Sequence, residues 1–400
     1  MLKRLGIAPL LLVSIYLVLS MATPARGAGP TCYWGLDEGS GAHVSDSIGS
    51  QNGTLHAVAW TPAAIILDST GRMWDLGSGK SGPASALDFS GMDSYLEVSD
   101  SPVLNSSEFS VIFWASPDSS GDWANLMGKQ YYDVDKQAGW MVCWDAGSPR
   151  MLRLIVYSSS HTESSSPPVP MDLGKWAHLA FTVGNGSISA YKNGELVGRS
   201  PLNGYLPSSE LLRIGKASGS SNYFDGMVDE VLFYSSSLGD NDIRSLYQSY
   251  NVTTSINSPT AVEVGSNSAI QGQEIELVAR LLDKRGRVVV GAHVYFHLDG
   301  QSLGDVSTDS RGYARQRFLP QEASTHNLAV TFGGVNGLDG SAKTVQLTVT
   351  QAASMQQYLL YAGVVAAIVL GVVMVLILSR RREPSSEELA KTIRDGLKYY

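Results

Sequence analysis

Paired carboxylates, closely spaced histidines and an Asp/Asn-rich loop are the features of this chain whose residue types and spacing could do chemistry. The acidic pairs are Asp37-Glu38 and Asp229-Glu230. Glycoside hydrolysis needs one carboxyl as acid and a second about 5–10 Å away as nucleophile or base. Neighbours on a strand face opposite ways, so neither pair is a natural dyad. A Glu-x-Asp-x-x-Glu run and a Gly-x-Ser-x-Gly elbow are both absent. His293 and His297 stand four apart, a zinc spacing on a helix. On a strand that spacing spans about 13 Å, too far to share one ion. The residues therefore point to a non-catalytic protein.

Binding chemistry is better represented. The loop Asp46–Gly53 gathers hard oxygen donors, Asp46 and Asn52 among them, with glycines that let backbone carbonyls approach closely. That donor set suits a structural calcium ion. Trp123, Tyr131 and Tyr132 lie in a Gly/Asp-rich segment without strand alternation and are the expected ligand-contact aromatics. Asn52, Asn105, Asn185 and Asn251 each open an Asn-x-Ser/Thr triplet and are candidate glycosylation sites. A glycan on Asn52 competes with its use as an inward calcium ligand. Cys32 and Cys143 are the only cysteines. In an oxidising compartment such a pair is expected to bridge, closing a loop worth about 4–5 kcal/mol of chain entropy.

The elements that must position these residues are mostly strands. The 400 residues suffice for two or three domains, with 44% apolar and 16% charged residues. Lys3-Arg4, the apolar run Leu5–Leu19 and Ala25-Arg26-Gly27 read as a secretory signal over 1–27. Tyr358–Leu378 is apolar throughout and is followed by Arg380-Arg381-Arg382. This predicts a transmembrane helix over 356–378, a cytoplasmic tail over 379–400 and a single-pass type I cell-membrane protein with its N-terminal part outside. Gly363, Ala367 and Gly371 recur every fourth residue, a spacing that lets helices approach and form a homodimer. The net charge of −8 argues against nucleic acid as partner.

Between these ends, Phe109–Ala115, Trp140–Trp144, Leu152–Tyr157, Trp176–Val183 and Ile188–Tyr191 read as strands. Asn193-Gly194 predicts a two-residue hairpin turn, since both positions of a type I′ turn need positive φ. Asp240 is expected to cap a short helix whose Ile243, Leu246, Tyr247 and Tyr250 share a face. Residues 258–350 alternate at period two, as Ile275, Leu277, Ala279 and Leu281 do, and predict a second antiparallel sandwich. In the tail, Leu389, Ile393 and Leu397 follow the Ser385–Glu388 capping pattern and predict one more helix.

The runs Gly174–Val183, Ala190–Gly198 and Phe224–Tyr247 resemble the laminin-G-like, concanavalin-A-like jelly-roll family. Thr31–Gly41, Ser45–Leu55 and Ala86–Val98 extend the resemblance over 31–250. Arg280–Gly300 and Thr308–Phe318 resemble bacterial and archaeal Ig-like surface domains. The resemblance implies an all-β chain: an antiparallel jelly-roll sandwich, an Ig-like β-sandwich and one C-terminal transmembrane α-helix. It implies that Asp229, with the Asp46–Gly53 loop, belongs to a calcium site. It also implies a non-catalytic surface protein that recognises glycans or surface proteins in adhesion. The alternative is an accessory or sensor subunit that targets a partner polysaccharide hydrolase or relays binding across the membrane.

Overall fold

The computed structural model describes residues 29–67, 72–76, 84–133, 136–148, 150–217, 222–251, 260–265, 267–335, 338–352, 355–380 and 386–396. The signal expected over 1–27 lies outside them. Two compact units divide the chain. The first takes in the described residues of Met1–Asn267, Ile275–Phe318 and His326–Leu347. The second comprises Ser268–Glu274, Leu319–Thr325 and the described residues of Thr348–Tyr400.

The first unit is built on two antiparallel sheets stacked face to face. One sheet runs, in order, Glu195–Pro201, Ser187–Lys192, Ala177–Gly184, Phe109–Pro117, Asp225–Tyr234, Ser85–Ser90 and Ala59–Pro62. Cys32–Trp34 adds to the upper part of Asp225–Tyr234. The other runs Glu163–Ser165, Met151–Tyr157, Lys136–Trp144, Asn125–Asp133, Leu212–Ile214, Tyr95–Val98, Gly53–His56 and His43–Val44. Alternate residues of each strand fill the space between them. Phe109, Val111 and Phe113 meet Leu179, Phe181 and Val183 from one sheet and Trp140, Val142 and Trp144 from the other. The central strands are buried on both faces, because a helix and a further sheet cover the outside of the first sheet.

The helical part of that cover is Asp240–Ser249, which lays Ile243 and Leu246 against Ile112, Ala180 and Leu232. Its N-cap is Gly239, not Asp240, and the Gly239 N–H donates to the Asp242 carboxylate at 3.0 Å. Asp240 is the first helical residue, and its side chain is spent elsewhere. The expected hairpin at Asn193-Gly194 forms, with φ of 52° and 78° between paired Lys192 and Glu195.

The strands of 258–350 do not stand apart from the jelly roll. Thr260–Val264, Ile275–Asp283, Val288–Val290 and Tyr313–Phe318 form a sheet that also contains Ala64–Leu67 and Met73–Asp75. Ala64, Ile65 and Ile66 pair in parallel with Val288, Val289 and Val290. A hairpin from the N-terminal part thus completes the later sheet. Arg287, almost fully buried, holds Asp283 through its Nε and Nη2 at 3.0 and 2.7 Å and pairs with buried Asp75 of the hairpin. Arg311 pairs with Asp88 and Asp118, and Trp176 Nε1 donates to the Ser310 carbonyl at 3.3 Å. Thr325–Phe332, His293–Leu298 and Gln301–Ser307 form a further antiparallel set. His293 is exposed and bonds Asp305, and the strand keeps it from sharing an ion with His297.

In the second unit, Ser268–Ile270 pairs in parallel with Thr348–Thr350. Two helices follow, Met355–Arg380 and Ser386–Gly396. The transmembrane expectation is corrected here: among the described residues no helix is long and apolar enough to cross a membrane. Gly363, Ala367 and Gly371 are exposed on the longer helix.

Candidate functional site

Thr182, Ser189 and Arg199 are cross-strand partners, and Thr182 also pairs with Ser110. They form a polar row across the outer face of the first sheet, where the neighbouring row of Ala180, Ile112 and Leu232 is apolar. Ser187 and Tyr191 stand two residues either side of Ser189 and share its face. The helix covers the apolar row. Beyond its N-terminus the polar row opens into a cleft of about 490 Å³, bounded by Gly184 and Asn185 on one side and by Ser237–Asp242 on the other. Strand alternation supplies the floor, and the turn into the helix supplies the wall.

The floor is hydroxylic and the wall is charged. Thr182 and Ser189 are buried side chains that line the cleft. Tyr191 donates its OH to the Asp240 carboxylate at 2.8 Å, and half-exposed Arg199 pairs with the same carboxylate. Arg199 first, and then Tyr191, hold the Asp240 carboxyl below the usual carboxylate range. Asp240 is therefore ionised across the physiological range. A general acid for glycoside cleavage needs the opposite shift. Hydroxyls, amides and one ion pair offer both donors and acceptors, as a polyhydroxylated ligand requires.

The residues expected to carry function lie elsewhere. The Asp46 carboxylate accepts the N–H groups of Tyr33, Ile48, Gly49 and Gln51 at 3.0–3.1 Å, and the Asn52 side-chain oxygen accepts the Asp46 N–H at 2.9 Å. Burial works against ionisation of Asp46, and these backbone bonds outweigh it, so its carboxyl is held below the usual range. Gly49 is required there, since a Cβ would lie 2.5 Å from the Asp46 carboxylate. These donors suit a carboxylate and not a cation. Among the described residues no group of three His, Cys, Asp or Glu could hold a metal ion.

Asp229 lies in the sheet beside Trp114, which is also the partner of His178. A bulge between Asp229 and Leu232, with Glu230 at a φ of 54°, breaks the alternation expected of Asp229-Glu230. Both carboxylates act on Tyr33 and Tyr250 and raise those phenols, after burial itself. Glu230 accepts their hydroxyls at 2.5 and 3.2 Å. The pair is buried and closed over by tyrosines, which leaves no room for a sugar bond between the carboxylates.

The cysteine bridge is also corrected. Cys32 and Cys143 are free and buried. Cys32 packs in the core between the sheets, while Cys143 packs on the far side of the second sheet with Met141, Ile155 and Tyr157. Strand alternation turns the two sulfurs away from each other, and burial pushes both thiols up to about 12. The aromatic trio does not converge either. Trp123, Tyr131 and Tyr132 are all exposed, but Trp123 precedes the strand Asn125–Asp133 and the tyrosines sit near its other end, roughly 25 Å away at 3.3 Å per residue. Among the acceptor triplets, Asn185 and Asn52 are exposed, whereas Asn105 and Asn251 are half-buried.

The cleft does leave a trace in the amino-acid pattern. Ser187, Ser189 and Thr182 place hydroxyls on a face whose neighbours are apolar, an interruption that marks an uncovered patch on a covered sheet.

Residues 89–244 match the family model described as the concanavalin A-like lectin/glucanases superfamily and form a jelly-roll domain of that type. No curated protein matches the chain. Among solved structures, domain 4 of AbnA, an extracellular arabinanase from Geobacillus stearothermophilus solved with arabinotriose, is 22% identical with a TM-score of 0.41. The match covers 56% of this chain and 100% of that one. The botulinum neurotoxin serotype G binding domain is 13% identical with a TM-score of 0.44, covering 79% of this chain and 65% of that one. A sialidase from Trypanosoma rangeli is 17% identical with a TM-score of 0.41, covering 59% of this chain and 37% of the enzyme.

Proposed function

We propose that the chain is a lectin-like recognition protein that works outside the cell and binds glycans, without cleaving them, in the cleft between Thr182, Ser189, Arg199 and Asp240. The observation that carries this reading is the polar row itself: hydroxyls and an ionised Arg–Asp pair in an opening of a sheet face whose neighbouring rows are covered. The lectin/glucanase family matched by residues 89–244 supports it. Non-catalytic action is supported by the ionised state of Asp240 and by the enclosure of Asp229 and Glu230. Net hydrogen bonds are worth about 0.5–1.5 kcal/mol each, so a handful of them gives a single-site Kd on the order of 0.1–10 mM.

The test is a glycan array and a calorimetric titration on the full-length chain, with Arg199→Ala and Ser189→Val alongside. Each variant is expected to lose tenfold or more in affinity for any sugar the parent binds. Unchanged binding in both variants would remove the cleft as the site, and release of reducing sugar by the parent would remove the non-catalytic reading.

A further inference from the structure

The charges around the cleft are unequal. Asp240 and Asp242 line it, and Glu108 stands at its rim, where its Oε1 accepts the Asn185 N–H at 3.0 Å. Against these three carboxylates the described lining residues offer one cation, Arg199, whose charge is already spent on Asp240; Arg244, which also acts on Asp240 from outside the lining, is paired with Glu195. The helix N-terminus would ordinarily draw an anion. Here Asp242 occupies it by accepting the Gly239 N–H at 3.0 Å. An incoming carboxylate would therefore meet a surplus of negative charge at a helix end already taken by a carboxylate.

We infer that the cleft selects sugars by charge, rejecting acidic ones and taking neutral and amine-bearing ones. This rests on the reading of the cleft as a glycan site. On one sugar ring the order of affinity is amine, then neutral, then uronate. At an effective dielectric of about 20, one unbalanced like charge several ångströms away weakens binding on the order of tenfold or more. The hydroxyl floor sees the same ring in all three forms, so the wall sets the order.

The experiment uses an array carrying many sugars in matched amine, neutral and uronate forms, probed with the full-length chain at two salt concentrations. The expected result is uronate binding tenfold or more below neutral, with the gap narrowing at high salt. Asn241→Lys, at an exposed lining position outside the Arg199–Asp240 pair, is expected to raise uronate binding relative to neutral at unchanged folding. Uronates binding as well as neutral sugars, in an Arg199-dependent way, would overturn the charge rule and leave the glycan site standing. Absence of binding to every form would overturn both.

Discussion

His178 shows what a single side chain can impose. It is fully buried, T-stacked on Trp114 at 5.4 Å and flanked by Tyr247 and Tyr250, and both ring nitrogens lack a hydrogen-bond partner among the described residues. Burial lowers its pKa to about 3, so the folded protein keeps it neutral. The unfolded chain takes up a proton near pH 6.5, which the buried ring refuses. Stability from this residue is therefore constant above about pH 6.5 and falls by about 1.4 kcal/mol per pH unit as pH drops toward 3. His178→Leu should flatten that part of the curve in urea titrations at stepped pH. It should also cost little at pH 7, since it removes two unsatisfied nitrogens. An unaltered acid limb would show that other groups set it. Asp46 makes a contrasting case, because its charge is used to tie a loop. Asp46→Ala strands four backbone donors and should cost about 2–4 kcal/mol. Calcium or a chelator should move the melting temperature of the parent by less than about 1 °C; a larger shift would show that the loop holds an ion.

Elements were legible where a local rule decided them. The Asn193-Gly194 turn needed only φ, and Gly194 adds a second constraint: a Cβ there would lie 2.8 Å from the Tyr247 ring. Gly194→Ala should therefore destabilise by about 1–3 kcal/mol, more than the turn alone explains, and Tyr247→Ala should recover part of that in a double-mutant cycle. The core strands were readable for the same reason, since Phe109–Pro117 and Ala177–Gly184 carry apolar residues on both faces. Long-range packing was not readable. Ala64–Leu67 carries β-rich apolar residues that fit any sheet, and its parallel pairing with Val288–Val290, far away in sequence, decides which one it joins. The bulge at Glu230 accompanies hydrogen bonds from Tyr33 and Tyr250, the first of them far away in sequence, so alternation misplaced Asp229-Glu230. The cleft depended on where one helix stops covering a sheet, and the pattern of helix and strands gives no measure of that reach. The cysteine bridge failed because sequence pairing ignores which face of a strand each sulfur occupies.

At the scale of the molecule, the jelly roll and the sheet of 260–318 are one compact unit held by ions as well as by apolar contact. Val288 and Val290 pack with Ala63, Trp74 and Trp114, and Arg287 neutralises Asp75 and Asp283 in the same interior. Arg287→Met leaves two buried carboxylates without their arginine and should cost about 3–5 kcal/mol. If the unit is one cooperative body, its unfolding should remain a single transition shifted to lower urea. Two separated transitions would mean that the sheets melt independently. The shared hairpin also sets a timetable for biosynthesis. Asp75 leaves the ribosome 212 residues before its arginine. At about 5–20 residues per second, the strand Ala64–Leu67 waits on the order of 10–40 s for the partner that completes it. Throughout that interval the nascent chain carries an unpaired apolar edge, the kind of surface that seeds misassembly. Until Val288 and Val290 arrive, Trp114, Ala86 and Met227 on the outer face of the first sheet also lack their cover, so a chain truncated before Val288 should be bound by chaperones or aggregate even though it contains every strand of the lectin-like sandwich.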